Sequence, residues 1–175
     1  MEVANVYLGD VALLKSSIAT YNRASMFIKI VTGVRSHFEA RFVEWVMATT
    51  LTFWGFNLVG DSRAWANPAA WEGMLRIASE ETWGAICLAV GGLWILALTI
   101  NGTFGNTWYS RYSPVVRGCM AGAAAMIWFL VYTSVVTAQT SGSGIYPLPL
   151  ALSIWCVFHA WRDVGRAGTN GQHTR

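Results

Sequence analysis

Four long apolar stretches dominate the chain and restrict its fold more than any motif does. They cover residues 42–60, 82–100, 115–137 and 145–161. A helix needs about 20 mostly apolar residues to cross the hydrocarbon core of a bilayer. None of the stretches alternates like a strand of an outer-membrane barrel, whereas a helix satisfies its backbone polar groups internally. The sequence therefore predicts an all-α integral membrane protein with four transmembrane helices.

The basic residues indicate which way these helices cross the membrane. Ten of the twelve Lys and Arg residues fall on one side of the four stretches. They are Lys15, Arg23, Lys29, Arg35 and Arg41 before the first stretch, Arg111 and Arg117 at the start of the third, and Arg162, Arg166 and Arg175 after the fourth. The positive-inside rule then places both termini in the cytoplasm, which requires an even number of spans. We expect a multi-pass protein with both termini in the cytoplasm.

The predicted domain organisation is simple. Residues 1–35 form a cytoplasmic or membrane-surface segment, 36–165 the four-helix transmembrane domain, and 166–175 a basic flexible tail. In the first segment Val11, Leu14 and Ile18 recur at helical spacing, which is typical of an amphipathic helix. Such a helix lies on the cytoplasmic membrane surface or packs on the bundle or on a partner. No cleaved signal peptide is expected, because the start carries acidic residues and no basic, then apolar, run.

A second short helix is predicted between the first two spans, where Asn67-Pro68 resembles a helix start. We expect this helix to lie flat on the outer membrane surface. Tryptophans often mark the two membrane–water interfaces, because their rings are amphipathic. The residues predicted to serve as interfacial anchors are Trp45, Trp65, Trp83, Trp108 and Trp161.

Small residues in the third span predict close helix packing. Gly118 and Gly122 form a GxxxG pair, with Ala121 and Ala125 on the same side. Small side chains let two helix backbones approach each other, so this face is the predicted tight contact of the bundle. Packing within one chain is the favoured interpretation of this contact, and packing between chains is the alternative.

Three ionisable residues lie within the spans near the cytoplasmic end: Glu44, Arg117 and His159. An ion pair between Glu44 and Arg117 would join two helices. On the simplest interpretation each side chain extends to the interface and fixes the depth of its helix. On the alternative interpretation the three form a polar cluster that binds an ion, a lipid head group or a protein partner.

Other site chemistry is poorly represented. Cys156 and His159 share a helix face, yet no further Cys or His lies at their depth to complete a metal site. Three Cys residues within the spans indicate free thiols and no disulfide framework. No phosphate loop, nucleophile elbow or zinc-protease motif occurs. The sequence therefore predicts no enzyme activity, no metal, no cofactor and no nucleic-acid partner.

Several local motifs resemble those of small four-helix membrane proteins encoded by bacteriophages and prophages. The resemblance covers about residues 40–165, on the order of three quarters of the chain. The residues that carry it are Trp83-Gly84, residues 97–103 (ALTINGT), Arg111, Pro114 and Arg117, Trp128, and Arg162-Asp163. It implies a phage origin and a location in the host inner membrane, and it supplies no activity.

Three classes of function are compatible with these features. The first is a non-enzymatic membrane protein that assembles with itself or with a membrane protein partner in the lipid bilayer, including a holin-like lysis role. The second is a small transporter or ion-conducting protein, with Glu44, Arg117 and His159 as coupling residues. The third is a subunit of a membrane redox complex. The first fits the absence of a catalytic constellation best.

Overall fold

The computed structural model describes residues 38–60, 65, 68–103, 112–138 and 141–170, with the single positions 28 and 32. Within these residues all regular structure is helical, as the sequence predicts. The long helices are α1 (Phe42–Gly60), α3 (Glu80–Thr103), α4 (Ser113–Thr137) and α5 (Pro147–Asn170), and the short α2 is Pro68–Leu75. Single turns of 3-10 helix lie at Glu39–Arg41 and Ser141–Gly144. The predicted amphipathic helix of residues 11–32 falls almost entirely outside the described residues.

The long helices coincide closely with the four apolar stretches. Helix α1 has the predicted bounds, and α3 and α4 each begin slightly earlier than expected. Helix α5 continues to Asn170, so the first residues of the segment predicted as a flexible tail are helical. By length and apolar composition, the segments Glu80–Ile100 and Ser113–Thr137 are able to cross a membrane, and among the described residues α1 and α5 do not meet the same criterion.

The four long helices pack around one shared core. Helix α1 packs mainly on α3, α3 on α4, and α4 on α5, while α1 and α5 touch each other less extensively. The short α2 lies against α4. The core contains Met47 and Leu51 of α1, Trp94 of α3, and Ile127 and Val131 of α4. The four long helices therefore form a four-helix bundle. In this bundle α1 packs extensively on α3 and only slightly on α5.

The closest helix approach lies between α1 and α3. A Cβ atom added to Gly55 would lie 2.8 Å from the Leu88 backbone nitrogen, and one added to Gly91 would lie 2.9 Å from that of Thr52. Gly84 is equally tight, with 3.0 Å to the Cβ of Leu58. No larger residue fits at these three positions unless the backbones separate.

The GxxxG face of α4 does not form the tight contact predicted from the sequence. Gly118 makes an ordinary contact with α5, since an added Cβ would lie 3.6 Å from that of Ala160. Nothing lies within 4 Å of a Cβ added to Gly122. Ala121 is buried, whereas Ala125 is half-buried. The GxxxG motif describes one helix and says nothing of its neighbour. Here the neighbour is α5, whose Trp161 Nε1 would lie 3.6 Å from a Cβ added to Gly118, so the two backbones stay at ordinary distance.

Two of the tryptophans predicted as interfacial anchors are buried inside the protein. Trp65 stacks on Trp71 of α2, with ring centroids 5.1 Å apart, and Trp83 donates from Nε1 to the Met74 carbonyl oxygen at 3.0 Å. The prediction that they face the interface is wrong, because α2 covers both rings. Trp45 is half-buried and Trp161 exposed. Trp108 lies outside the described residues.

Candidate functional site

The strongest polar feature of the bundle is an ion pair between helices α1 and α4. Arg117 donates from Nε to Oε2 of Glu44 at 2.8 Å, and from Nη2 to Oε1 of the same carboxylate. Arg117 is 1% exposed and Glu44 is 4% exposed. The planar guanidinium therefore binds both carboxylate oxygens in a bidentate arrangement, the geometry in which such an ion pair is strongest.

The helix termini explain why these two residues meet. Glu44 lies in the first turn of α1 and Arg117 about one turn into α4. Both helices begin at the same end of the bundle, so the two side chains project inward at the same level. A carboxylate in the first turn of a helix is additionally stabilised by the positive end of the helix dipole.

Two further residues extend the pair into a network. Arg117 donates its remaining Nη1 to Oδ2 of Asp163 on α5 at 3.2 Å. Arg41, which directly precedes α1, donates to the same oxygen at 3.5 Å. Asp163 is more accessible, with 31% of its side chain exposed. Two guanidinium and two carboxylate groups thus form an electrically neutral chain from the core towards the surface, which we call the ion network.

Helix α3 also reaches the ion network. Trp94 is completely buried and its Nε1 donates to Oε2 of Glu44 at 3.5 Å. Because α3 runs antiparallel to α1, its later half lies level with the first turns of α1. All four long helices therefore contribute one side chain at this level: Glu44, Trp94, Arg117 and Asp163.

Arg41 lies at the outer edge of the ion network. Burial and the neighbouring Arg117 guanidinium lower the pKa of Arg41 from its usual value, while the Asp163 and Glu44 carboxylates act in the opposite direction. An arginine keeps its proton in proteins even when its pKa is somewhat lowered. Arg41 therefore supplies a permanent positive charge that offsets the second carboxylate.

His159 lies beside the ion network and makes no hydrogen bond to it among the described residues. Its ring packs on Trp155, with centroids 4.7 Å apart. Both rings line a cavity of about 70 Å³ between the start of α1 and α5, together with Glu44 and Cys156. The position that the sequence analysis gave to His159 in the cluster is occupied by Asp163, one turn further along α5.

The simplest interpretation of the sequence, that these side chains extend to the interface, is wrong for Glu44 and Arg117. Both point into the bundle and are almost fully buried. Mutual pairing makes this possible, because each supplies the counter-charge that the other loses on leaving water. The expected ion pair between them is present.

The described residues contain no group of three or more His, Cys, Asp or Glu side chains placed to hold a metal ion. Cys156 and His159 share the wall of one cavity with Glu44, but these side chains do not form such a group. The three described thiols are free, with Cys87 and Cys156 buried and Cys119 exposed. In the ion network both oxygens of Glu44 already accept from Arg117, so the pair links helices α1 and α4.

Comparisons with known proteins identify no relative. No protein-family model, no curated protein and no solved structure matches the chain.

Proposed function

We propose that this chain is a non-enzymatic, four-span protein of the bacterial inner membrane that acts by helix packing and by assembly with itself or with another membrane protein. Both termini are cytoplasmic in this proposal. The phage origin implied by the resemblance, and a holin-like lysis role, are the most specific form of the same proposal.

The observation that carries the proposal is an apolar outer surface on every long helix. Large apolar side chains are exposed on all four long helices, and water would disfavour so much exposed apolar surface. The most exposed are Phe53 and Phe56 of α1, Leu93 and Leu96 of α3, Met126 and Phe129 of α4, and Leu148 and Phe158 of α5. A bundle whose long helices are apolar outside and whose Glu44–Arg117 ion pair is buried inside suits a lipid environment.

Helix lengths agree with this environment. At a rise of about 1.5 Å per residue, α1 is roughly 28 Å long and the other three long helices roughly 36 Å, against a hydrocarbon core of about 30 Å. Glu80 and Glu81 begin α3 at the end of the bundle opposite the ion network. Arg41, Arg117 and Arg162 lie towards the network end and Arg76 lies at the opposite end, a distribution of basic residues that agrees with the positive-inside rule.

The ion network supports a role in assembly of the bundle over a role in chemistry. A charged side chain buried inside a membrane bundle costs free energy, and such side chains are usually paired or functional. Here the carboxylate, the guanidinium and the indole N–H belong to three different helices and bond to one another. The ion network therefore selects one helix arrangement, because any slip between α1 and α4 would leave buried charges unpaired.

Fusions test the topology directly. We expect a cytoplasmic reporter placed after Arg175 to be active, and the same reporter placed in the 61–67 link to be inactive. A periplasmic reporter should give the opposite pattern. Activity of the periplasmic reporter after Arg175 would overturn the proposed topology.

For the holin-like role, regulated expression in a bacterium should collapse the membrane potential. Retained potential and viability at high expression would exclude that role.

A small transporter is the second candidate, and the cavity beside Glu44 is the observation that favours it. Against it, the Glu44 carboxylate is already paired with Arg117 through both oxygens, so a coupling cation would have to compete with the guanidinium. Ion flux in liposomes distinguishes the two. A transporter that couples through this carboxylate would lose flux on Glu44→Gln, whereas unchanged flux would exclude coupling through Glu44.

A further inference from the structure

The outward face of α5 near the ion network combines exposed aromatic rings with an exposed arginine. Trp155, Phe158 and Trp161 are 56%, 64% and 51% exposed. Arg162 follows them directly and is exposed as well. Residues three, four and seven positions apart share one side of a helix, so these four side chains form one continuous surface. We call this surface the α5 aromatic face.

The charge of Arg162 is not balanced by any carboxylate that the structure describes. The neighbouring Asp163 is turned towards the bundle, where its Oδ2 accepts from Arg117 at 3.2 Å and from Arg41 at 3.5 Å. Glu39 is the exposed acid described at this end of the bundle, and it forms no ion pair with Arg162. The α5 aromatic face therefore presents a net positive charge and favours an anionic partner.

We propose that the α5 aromatic face binds one anionic phospholipid of the cytoplasmic leaflet. This inference rests on the proposed function, because it requires α5 to span a membrane with the ion network at the cytoplasmic end. Asp163 bonds to Arg41, the residue before α1, so Arg162 is level with the start of that helix. Because α1 is about as long as the hydrocarbon core is thick, its start lies close to the lipid phosphates.

One amphiphilic molecule matches both parts of the α5 aromatic face. The guanidinium of Arg162 can donate two parallel hydrogen bonds to a phosphate, while the three rings present apolar surface to the acyl chains. An anionic phospholipid suits the charge better than a zwitterionic one, whose ammonium group offsets its phosphate.

A second copy of the chain suits the α5 aromatic face less well. All copies insert with the same orientation, so residues of the same number lie at the same depth. A symmetric contact through this face would bring two Arg162 side chains together across the two-fold axis, where their charges repel. The exposed arginine thus distinguishes between the two occupants.

Lipid binding by the purified full-length protein in a neutral detergent tests the site. Dioleoyl phosphatidylglycerol and dioleoyl phosphatidylcholine have the same chains and differ in head-group charge, and native mass spectrometry measures the affinity of each. We expect Arg162→Gln to lower the affinity for the phosphatidylglycerol about fivefold, as loss of one basic residue near a membrane surface would do, with the phosphatidylcholine unaffected. The matched control is Arg76→Gln, because Arg76 is exposed at the opposite end and pairs with Glu72. Equal effects of the two variants, or no effect of Arg162→Gln, would overturn the lipid site.

The aromatic rings are tested with the same two lipids. Phe158→Ala should lower the affinity for both by the same factor, since their acyl chains are identical. Phe129→Ala on α4, which is also exposed, is the control and should change neither affinity at this site. Unchanged binding to Phe158→Ala would refute the contact between the rings and the chains.

A competitor without acyl chains distinguishes a lipid from a free phosphate. Glycerol phosphate at the concentration of the lipid should not displace the phosphatidylglycerol, because it offers nothing to the rings. Displacement would show that the site takes a soluble phosphate and would overturn the lipid proposal. A dimer, or a complex with another protein, that the phosphatidylglycerol displaces would show that the face takes a protein and would overturn it too.

Carbonate extraction of native membranes separates failure of this inference from failure of the proposed function. A chain that stays in the membrane but shows no preference dependent on Arg162 refutes the lipid site alone. Release of the chain by carbonate overturns the membrane proposal, and the lipid site with it.

Discussion

Removing one member of the ion network should destabilise the bundle strongly, and the two central residues should differ. Arg117→Gln leaves Glu44 buried with only the long contact from Trp94 Nε1 at 3.5 Å. Asp163 keeps Arg41 as a partner in this variant. Glu44→Gln is milder, because the amide oxygen still accepts from Arg117 and because Arg117 retains Asp163 at 3.2 Å.

The structure sets the size of each effect. Breaking a buried ion pair from one side costs about 3–5 kcal/mol, and the nearly complete burial of Glu44 places Arg117→Gln in that range. Glu44→Gln removes one charge-assisted partner and should cost about 1.5–3 kcal/mol. The double variant replaces both charges with amides that can bond to each other. It should therefore be more stable than Arg117→Gln alone.

Unfolding of the purified protein in detergent micelles, by titration with a denaturing detergent and followed by tryptophan fluorescence, measures these free energies. Arg162→Gln is the matched control, since Arg162 is exposed, and its cost should stay within about 0.5 kcal/mol. A double variant whose loss equals the sum of the two single losses would show that Glu44 and Arg117 act independently. That result would refute the claim that the Glu44–Arg117 pair stabilises the contact between α1 and α4.

Two further predictions concern packing. Gly91→Ala should destabilise the bundle by about 1–3 kcal/mol, because its Cβ would meet the α1 backbone, whereas Gly92→Ala meets nothing within 4 Å and should be neutral or slightly stabilising. Thermal unfolding of the two variants measures the difference, and equal melting temperatures would contradict the close approach. A maleimide should label Cys119 in the folded protein, and Cys87 and Cys156 only after unfolding, as mass spectrometry would show. Rapid labelling of all three thiols would contradict the described core.

Helix positions could be predicted from the sequence, because long apolar stretches and turn signals are local. The bounds of α1 and the start of α2 at Pro68 illustrate this. Which face of each helix meets its neighbour is not a local property. Gly118 and Gly122 fit a known packing motif, while the true close approach uses Gly55 against Gly84, and Gly91 against Thr52, on a different pair of helices. The small residues of α3, spaced by seven, were the available signal.

The candidate site could be predicted only in part for the same reason. Glu44 and Arg117 are conspicuous as charges within apolar stretches, and their shared level follows from the topology. Asp163 follows the fourth apolar stretch, and its role as the second acceptor for Arg117 depends on how α5 rotates about its axis. Trp94 gave no signal at all, because one more tryptophan in an apolar helix is expected to fill space.

Polar groups on two faces of α1 contribute to its missing the hydropathy criterion for a membrane span that α3 and α4 meet. Its inward face carries Glu44, whose charge is compensated by Arg117. Its outward face carries Thr49, Thr50 and, near the outer end, Asn57, which donates to the Phe53 carbonyl oxygen at 2.8 Å. Each polar group lowers the apolar character of the helix, and each would be costly in lipid without a partner. An α1 helix that spans the membrane is thus stabilised inside the bundle by the ion network, which pairs its buried charge.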